Sequence, residues 1–331
     1  MFEANDLKKL SIDLYKNENL VFNETSGDDA MRKIFAEALG QEVGERIDFY
    51  NWEANKTKVF QLLSVAVDAV LPVVLTNQLN TLAEVRNVGF GDRPVFEVED
   101  ESLFRVGMVA NGTQDLKRQE IFGSKFTVDT DWFGAKTFAE LERFLNGEIN
   151  WQKLIQRIAK SFEHKMQVQI YDAFMGSYDL LRAVRKNSGA YDEDKLITMA
   201  QHIATASGGK NVAVYGTASA LRKVSKAANF SDGMKDEMNR VGYLGTVAGL
   251  DLIQLPQAYK AGKEEFAIDD NTLIVLPQGE KVVTIVLEGQ SIVREDNGDK
   301  RNDMQMEFVT MKKYGLQVAQ LAVYGMYKIT A

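Results

Sequence analysis

Between Pro94 and Asp131 the chain carries β-patterned limbs, Val95 to Val98, Leu103 to Ala110 and Lys125 to Val128, around the hairpin dipeptide Asn111 and Gly112. If each limb runs about 15 residues at about 3.3 Å per residue, the ribbon reaches on the order of 50 Å. Glu97, Glu99, Asp100, Glu101, Arg105, Lys117, Arg118 and Glu120 charge both sides of it, leaving a thin apolar set such as Phe96, Phe104, Phe122 and Phe126. An isolated two-stranded ribbon is marginal in water, and this one has too little apolar area to fix its own conformation. A fold that contains it must supply support from other segments or from another molecule.

Upstream, residues 1–50 hold eleven acidic against six basic side chains. The spacing predicts helices over Asn5 to Tyr15 and Asp28 to Leu39, the second opened by Asp28 and Asp29 and closed by Gly40, with Asn17 to Gly27 as a loop. This stretch reads as an acidic, partly helical arm. Its neighbour Val65 to Leu75 is the longest apolar run, and Asp68 and Pro72 interrupt it, so no membrane span is expected. Met1 to Leu10, with Glu3, Asp6, Lys8 and Lys9, lacks the apolar core of a secretory signal, and assembly inside a cell is the expectation.

Downstream, Asn150 to Met175 has Trp151, Leu154, Ile155, Ile158 and Phe162 on one helical stripe, with Asn150 as cap and Gly176 as stop. Lys153, Arg157, Lys160 and His164 fall on the opposite stripe. An alternating region follows a charged linker: a helix opened by Asp192 to Asp194 and ended by Gly208 and Gly209, a strand Val212 to Tyr215, a helix Ala218 to Ala228, and strands Leu250 to Leu255 and Thr272 to Leu276. The remainder is mostly strand, at Val282 to Leu287, Met304 to Met311 and Leu316 to Ile329, broken by an exposed turn at Arg294 to Asp303.

The 331 residues suffice to bury roughly three quarters of the unfolded surface, in one large domain or two smaller ones. Zero cysteines exclude disulfides, thiolate catalysis and cysteine-bound metals. A formal net charge of -8 argues against a general nucleic-acid binder, though local basic stripes are compatible with it. Gly208, Gly209, Lys210 and Asn211 do not form a phosphate loop, and Gly242, Gly245 and Gly249 are read as hairpin turns, not a dinucleotide loop. The two histidines, His164 and His202, lack zinc-site neighbours. The acid pairs Asp129 with Asp131 and Asp269 with Asp270 are read as solvated turns. No catalytic residue, cofactor-binding residue, cofactor or metal ligand is assigned, and no enzymatic activity is expected.

The run Asn211, Val212, Ala213, Val214, Tyr215, Gly216, Thr217, with Ala220, Leu221, Arg222 and Lys223 after it, resembles the strand, turn and helix of the major capsid proteins of tailed bacteriophages. Gly245 to Pro256 is similar to that family's glycine turn, apolar strand and proline. Met306 to Val309, Tyr314 to Val318 and Tyr327 to Ile329 resemble its closing strands. The likeness runs from about residue 86 to the end, carried by the order of the features.

The resemblance implies an α+β, Hong Kong 97-like phage capsid fold: a variable N-terminal arm (1–85) without a core of its own, an extended hairpin loop (86–133), a peripheral domain with the long spine helix (134–186 and 278–331) and an axial α/β domain (187–277). It further implies a homo-oligomer of pentamers and hexamers forming an icosahedral virion shell around double-stranded DNA, assembled in the host cytoplasm, with scaffolding, portal and decoration proteins as further partners and no membrane. Some family members cross-link lysine to asparagine, but no reactive pair is placed here. The alternative is an encapsulin-type shell enclosing cargo protein; the acidic arm and the length favour the phage. An α/β enzyme sited in 187–277 would need convergent polar residues that the sequence does not offer, and a tail or decoration protein would usually lack the long helix.

Overall fold

The computed structural model describes residues 4–16, 21–22, 25–42, 45–79, 82–98, 104, 106–109, 118–119, 124–146, 150–226, 232–257, 259–260, 263–296, 305–319 and 323–330. Their helices are α1 (Ala4–Lys16), α2 (Gly27–Leu39), α3 (Phe49–Leu79), α4 (Leu141–Leu145), α5 (Trp151–Ser177), α6 (Glu193–Ala206), α7 (Ala218–Lys226) and α8 (Asp232–Val241). Their strands are β1 (Val21–Phe22), β2 (Thr25–Ser26), β3 (Ala83–Val88), β4 (Val95–Val98), β5 (Ser124–Thr127), β6 (Asp131–Glu140), β7 (Lys186–Gly189), β8 (Val212–Gly216), β9 (Thr246–Val247), β10 (Leu250–Gln254), β11 (Thr272–Pro277), β12 (Val283–Glu295), β13 (Gln305–Val318) and β14 (Gly325–Ile329). The chain folds into two compact units.

The first unit comprises Met1–Pro94, Val128–Met166 and Ile285–Leu316. Its sheet runs β3-β12-β13-β6, and β13 and β6 are antiparallel from Gln305 opposite Glu140 to Tyr314 opposite Asp131. The expected arm without a core is corrected here. Leu7, Leu14, Met31, Ile34, Phe35 and Leu39 are buried, and α1 and α2 both pack on α3, whose Trp52, Val59, Leu63, Val67, Leu71 and Leu75 are buried too. Phe35 also stacks on Trp151 of α5 at 4.6 Å between centroids. The acidic side chains occupy the outer faces of α1 and α2, and the apolar stripes between them make a core once α3 is present.

Helix α3 was not foreseen, because Asp68 and Pro72 looked like interruptions. Pro72 lies inside it and removes the N–H that would bond the Asp68 carbonyl, a local cost the packed helix absorbs. Phe49–Leu75 is, by length and composition, apolar enough to cross a membrane, which corrects the expectation that no such stretch exists. Polar residues scattered through it hide that character from a search for unbroken apolar runs. Half of its most apolar window is buried by protein, and its Asp68 is ion-paired, as fits the core helix of a packed unit.

The second unit comprises Val95–Thr127, Gln167–Thr284 and Gln317–Ala331. Its six-stranded sheet runs β7-β14-β11-β8-β10-β9, with β8 parallel to β10 and β11 antiparallel to β8 and β14. One cluster joins Leu196, Met199 and Ile203 of α6, Leu221 and Val224 of α7, and Val214, Leu252, Leu273 and Tyr327 of the sheet. Asp192 caps α6 by accepting the Asp194 N–H at 3.1 Å, as its sequence position predicts. Between β9 and β10, Ala248 (φ 51°) and Gly249 (φ 79°) form the two-residue turn with both central residues in the left-handed region, which suits a tight hairpin. The structure departs from expectation at the C-terminus: β14 lies inside this sheet, Leu273 opposite Tyr327, and so belongs with the strands of 187–277, not with the returning strands of 278–331. The pairing buries Met326 and Tyr327 and places Tyr327 in the cluster formed with α6 and α7.

Candidate assembly surfaces

The ribbon forms at its base as the sequence predicts. β4 and β5 pair antiparallel, with Phe96 opposite Phe126 and their rings stacked at 5.6 Å. The expected strand Leu103 to Ala110 is corrected: its described residues, 104 and 106–109, have no regular structure, and the expected turn Asn111 and Gly112 lies outside the described residues. Val106 and Met108 are fully exposed, at 97% and 102%, and Phe104 and Val109 are largely exposed. Large apolar side chains exposed to this degree gain nothing in an isolated chain, and clustered exposure of this kind marks an interaction surface.

Within the first unit, one carboxylate gathers the chain on both sides of the ribbon. Glu288 of β12, with its side chain 4% exposed, accepts the Gly91 N–H at 2.8 Å and the Lys313 ammonium at 2.8 Å on one oxygen, and the Thr130 hydroxyl on the other. These donors hold its carboxyl down to about 2, against a smaller upward push from burial. The Phe90 ring lies against Gly289 (φ 64°), where any side chain would collide with it, and packs on Trp132 at 5.9 Å. Gly315 likewise leaves room for the Asp129 carbonyl.

Strand β6 offers a second surface. Among the described residues it pairs only with β13, so its outer edge is open along ten residues, and Trp132 and Phe138 stand exposed on it. Its Lys136 pairs with Asp296 at 2.7 Å and with Glu307.

Helix α5 presents the polar stripe that the sequence predicts: Lys153, Arg157 and Lys160 are exposed and His164 half-buried, while Trp151, Ile155, Ile158 and Phe162 are buried. Asn150 caps the helix through the Lys153 N–H at 2.8 Å. Burial pushes the Glu163 carboxyl up, and Lys160 opposes that shift.

The residues considered for chemistry do not converge. His202 is exposed. Of the acid pairs read as solvated turns, Asp129 and Asp131 are exposed, while Asp269 and Asp270 are held by hydrogen bonds: Asp269 accepts the Asn271 N–H and the Thr272 hydroxyl, and Asp270 accepts the Thr217 hydroxyl and the Gln257 amide. Among the described residues no group of three metal-ligating side chains is found. A cleft of about 830 Å³ beside α2 and α3 has the Asp68–Lys312 pair in its lining, but these groups bond each other. Sequence reading missed Glu288; its signal is a lone acid directly after the apolar run Val282 to Leu287.

The family model described as "SPbeta prophage-derived putative capsid protein YonB" matches residues 8–326. No curated protein matches the sequence. Among solved structures the chain is similar to the capsid of a native GTA particle, at 14% identity and a TM-score of 0.53, covering 77% of this chain and 91% of that one. It is similar to the mature capsid of bacteriophage PhiM1, at 11% identity and 0.52, covering 76% and 86%. It is also similar to Mycobacterium phage Bobi, at 11% identity and 0.50, covering 76% and 90%. At these identities the likeness establishes the fold, the Hong Kong 97-like phage capsid fold expected from the sequence. With the family model matched over nearly the whole length, the chain belongs to the SPbeta prophage-derived YonB capsid protein family.

Proposed function

We propose that the chain is the major subunit of a phage head, self-assembling through pentamers and hexamers into an icosahedral shell that encloses double-stranded DNA. Family membership supports the capsid role, and the observation that carries self-association is the ribbon, whose Val106 and Met108 are fully exposed. The sheet and helices within 187–277, joined by β14, serve as the axial lobe at capsomer centres. The spine helix α5 and the sheet containing β12 and β13 serve as the periphery. Scaffolding, portal and decoration proteins are the further partners this reading calls for, and the role is structural, not enzymatic.

Electron microscopy of the purified protein tests the proposal: closed icosahedral particles are expected, and an inert monomer at assembly concentrations would overturn it. Particles from a producing host should hold double-stranded DNA; protein cargo without DNA would point to an encapsulin-type shell.

The exposed Lys153, Arg157 and Lys160 stripe is proposed to face the interior and meet DNA phosphates without reading sequence. Changing the three to Gln should leave assembly intact and weaken DNA retention as salt rises, with the salt slope reduced by up to about 3. Unchanged retention across ionic strengths would dismiss the contact.

A further inference from the structure

The paired strands of the ribbon, β4 and β5, are four residues each, and stacking of Phe96 on Phe126 fixes one against the other. The chain enters the ribbon through 89–94 and leaves it through 128–131.

Both of these chain ends meet at Glu288. Gly91 precedes the ribbon and Thr130 follows it, 39 residues apart in sequence, and each donates to the same carboxylate, which Lys313 of the neighbouring strand β13 neutralises. Around this point the backbone has little freedom. Asp92 accepts the Gly89 N–H at 3.0 Å, closing a turn whose Gly91 has φ 85°. Phe90 is seated over Gly289, and the Asp129 carbonyl over Gly315. The two glycines make room for the two ends, and the carboxylate bonds them.

We propose that Glu288 is a positioning residue for shell assembly, a latch that holds the chain on both sides of the ribbon together at β12 and β13. The proposal rests on the reading that the ribbon joins subunits. A purely structural role would instead make Glu288 matter for the stability of the first unit alone.

The test uses the full-length chain with Glu288→Gln and Thr130→Val. Glu288→Gln keeps the shape but removes the charge that Gly91, Thr130 and Lys313 bind; Thr130→Val frees one root and leaves the Lys313 pair in place. In both variants the circular dichroism spectrum of the unassembled subunit should match the parent. Amide exchange at Gly91 in the first variant, and at 128–130 in both, should rise about tenfold or more, the loss expected for a hydrogen bond to a charged group. The yield of closed particles should fall several-fold, with open or irregular shells in their place. Faster exchange at the roots with parental particle yield would overturn the latch, as would parental exchange in both variants. If Glu288→Gln does not fold, Thr130→Val decides by the same two readouts. Deleting the ribbon distinguishes the latch from the reading beneath it: if the deletion abolishes closure while both point variants close normally, only the latch fails, and if the deletion also closes normally, the assembly role of the ribbon fails.

Discussion

Replacing residues 99–124 by a short Gly-Ser turn is expected to give a soluble, folded subunit that does not form closed particles. The replacement stops short of Phe126 and keeps β4, Phe96 and the roots bound to Glu288, so the anchored base survives. It removes Phe104, Val106 and Met108, which are exposed and contribute nothing to either core. On the proposed reading, what the deletion takes away is contact with another copy, in which exposed aromatic and aliphatic side chains act as anchors and the flanking charges set register and partner choice. Sedimentation with circular dichroism reads the outcome. Normal closed particles, or loss of the monomer fold, would each refute this account.

Asp68→Ala is expected to be the most damaging single substitution in the first unit's core, lowering its stability by about 3–5 kcal/mol. Lys312 has a side chain 5% exposed and donates to Asp68 at 2.7 Å and to the Gly289 carbonyl at 2.8 Å. Asp68 also accepts the N–H and hydroxyl of Ser291. Removing the carboxylate strands a buried ammonium, whereas replacing both charges with apolar groups leaves no stranded charge but still strips the Ser291 N–H and hydroxyl and the Gly289 carbonyl of their partners. The double variant Asp68→Leu with Lys312→Met should accordingly recover part of the loss. Urea unfolding of the unassembled subunit gives both numbers, with a lower midpoint and an unchanged slope for the single variant. A single-variant loss below about 1 kcal/mol, the value of an exposed pair, would show that the pair is not buried in solution.

Local signals in the sequence carried the elements whose ends are chemically marked. Asn150 and Asp192 cap α5 and α6 where expected, Gly40 closes α2, and Gly249 lies in the β9–β10 hairpin turn, whereas Gly242, also read as a hairpin turn, closes α8. The ribbon's base was legible because apolar residues flank Pro94 and Asp131 in strand-like runs. Features settled by distant partners were not legible. Asp68 reads as an interruption until Lys312, 244 residues away, is seen to neutralise it, and that is why the longest helix of the chain was missed. β14 looked like a closing strand of the periphery because nothing local assigns it to Leu273 and Ile274. Glu288 is one acid after a run of apolar residues, and its donors come from three separate segments.

The open edge of β6 bears on how the subunit survives between synthesis and incorporation. Among the described residues this edge has no strand partner, and its row of backbone donors and acceptors, flanked by Trp132 and Phe138 and interrupted by no proline, is a template for pairing with an extended chain, whether or not that chain comes from a correctly placed neighbour. Productive capture is ordered and self-limiting, while indiscriminate strand pairing grows with the amount of free subunit and the time it waits. Overproduction without the rest of the assembly machinery should therefore divert the chain into inclusion bodies more readily than a protein with a closed sheet. The natural host would face the same constraint as a matter of timing, with synthesis kept in step with the rate at which growing shells consume the free pool.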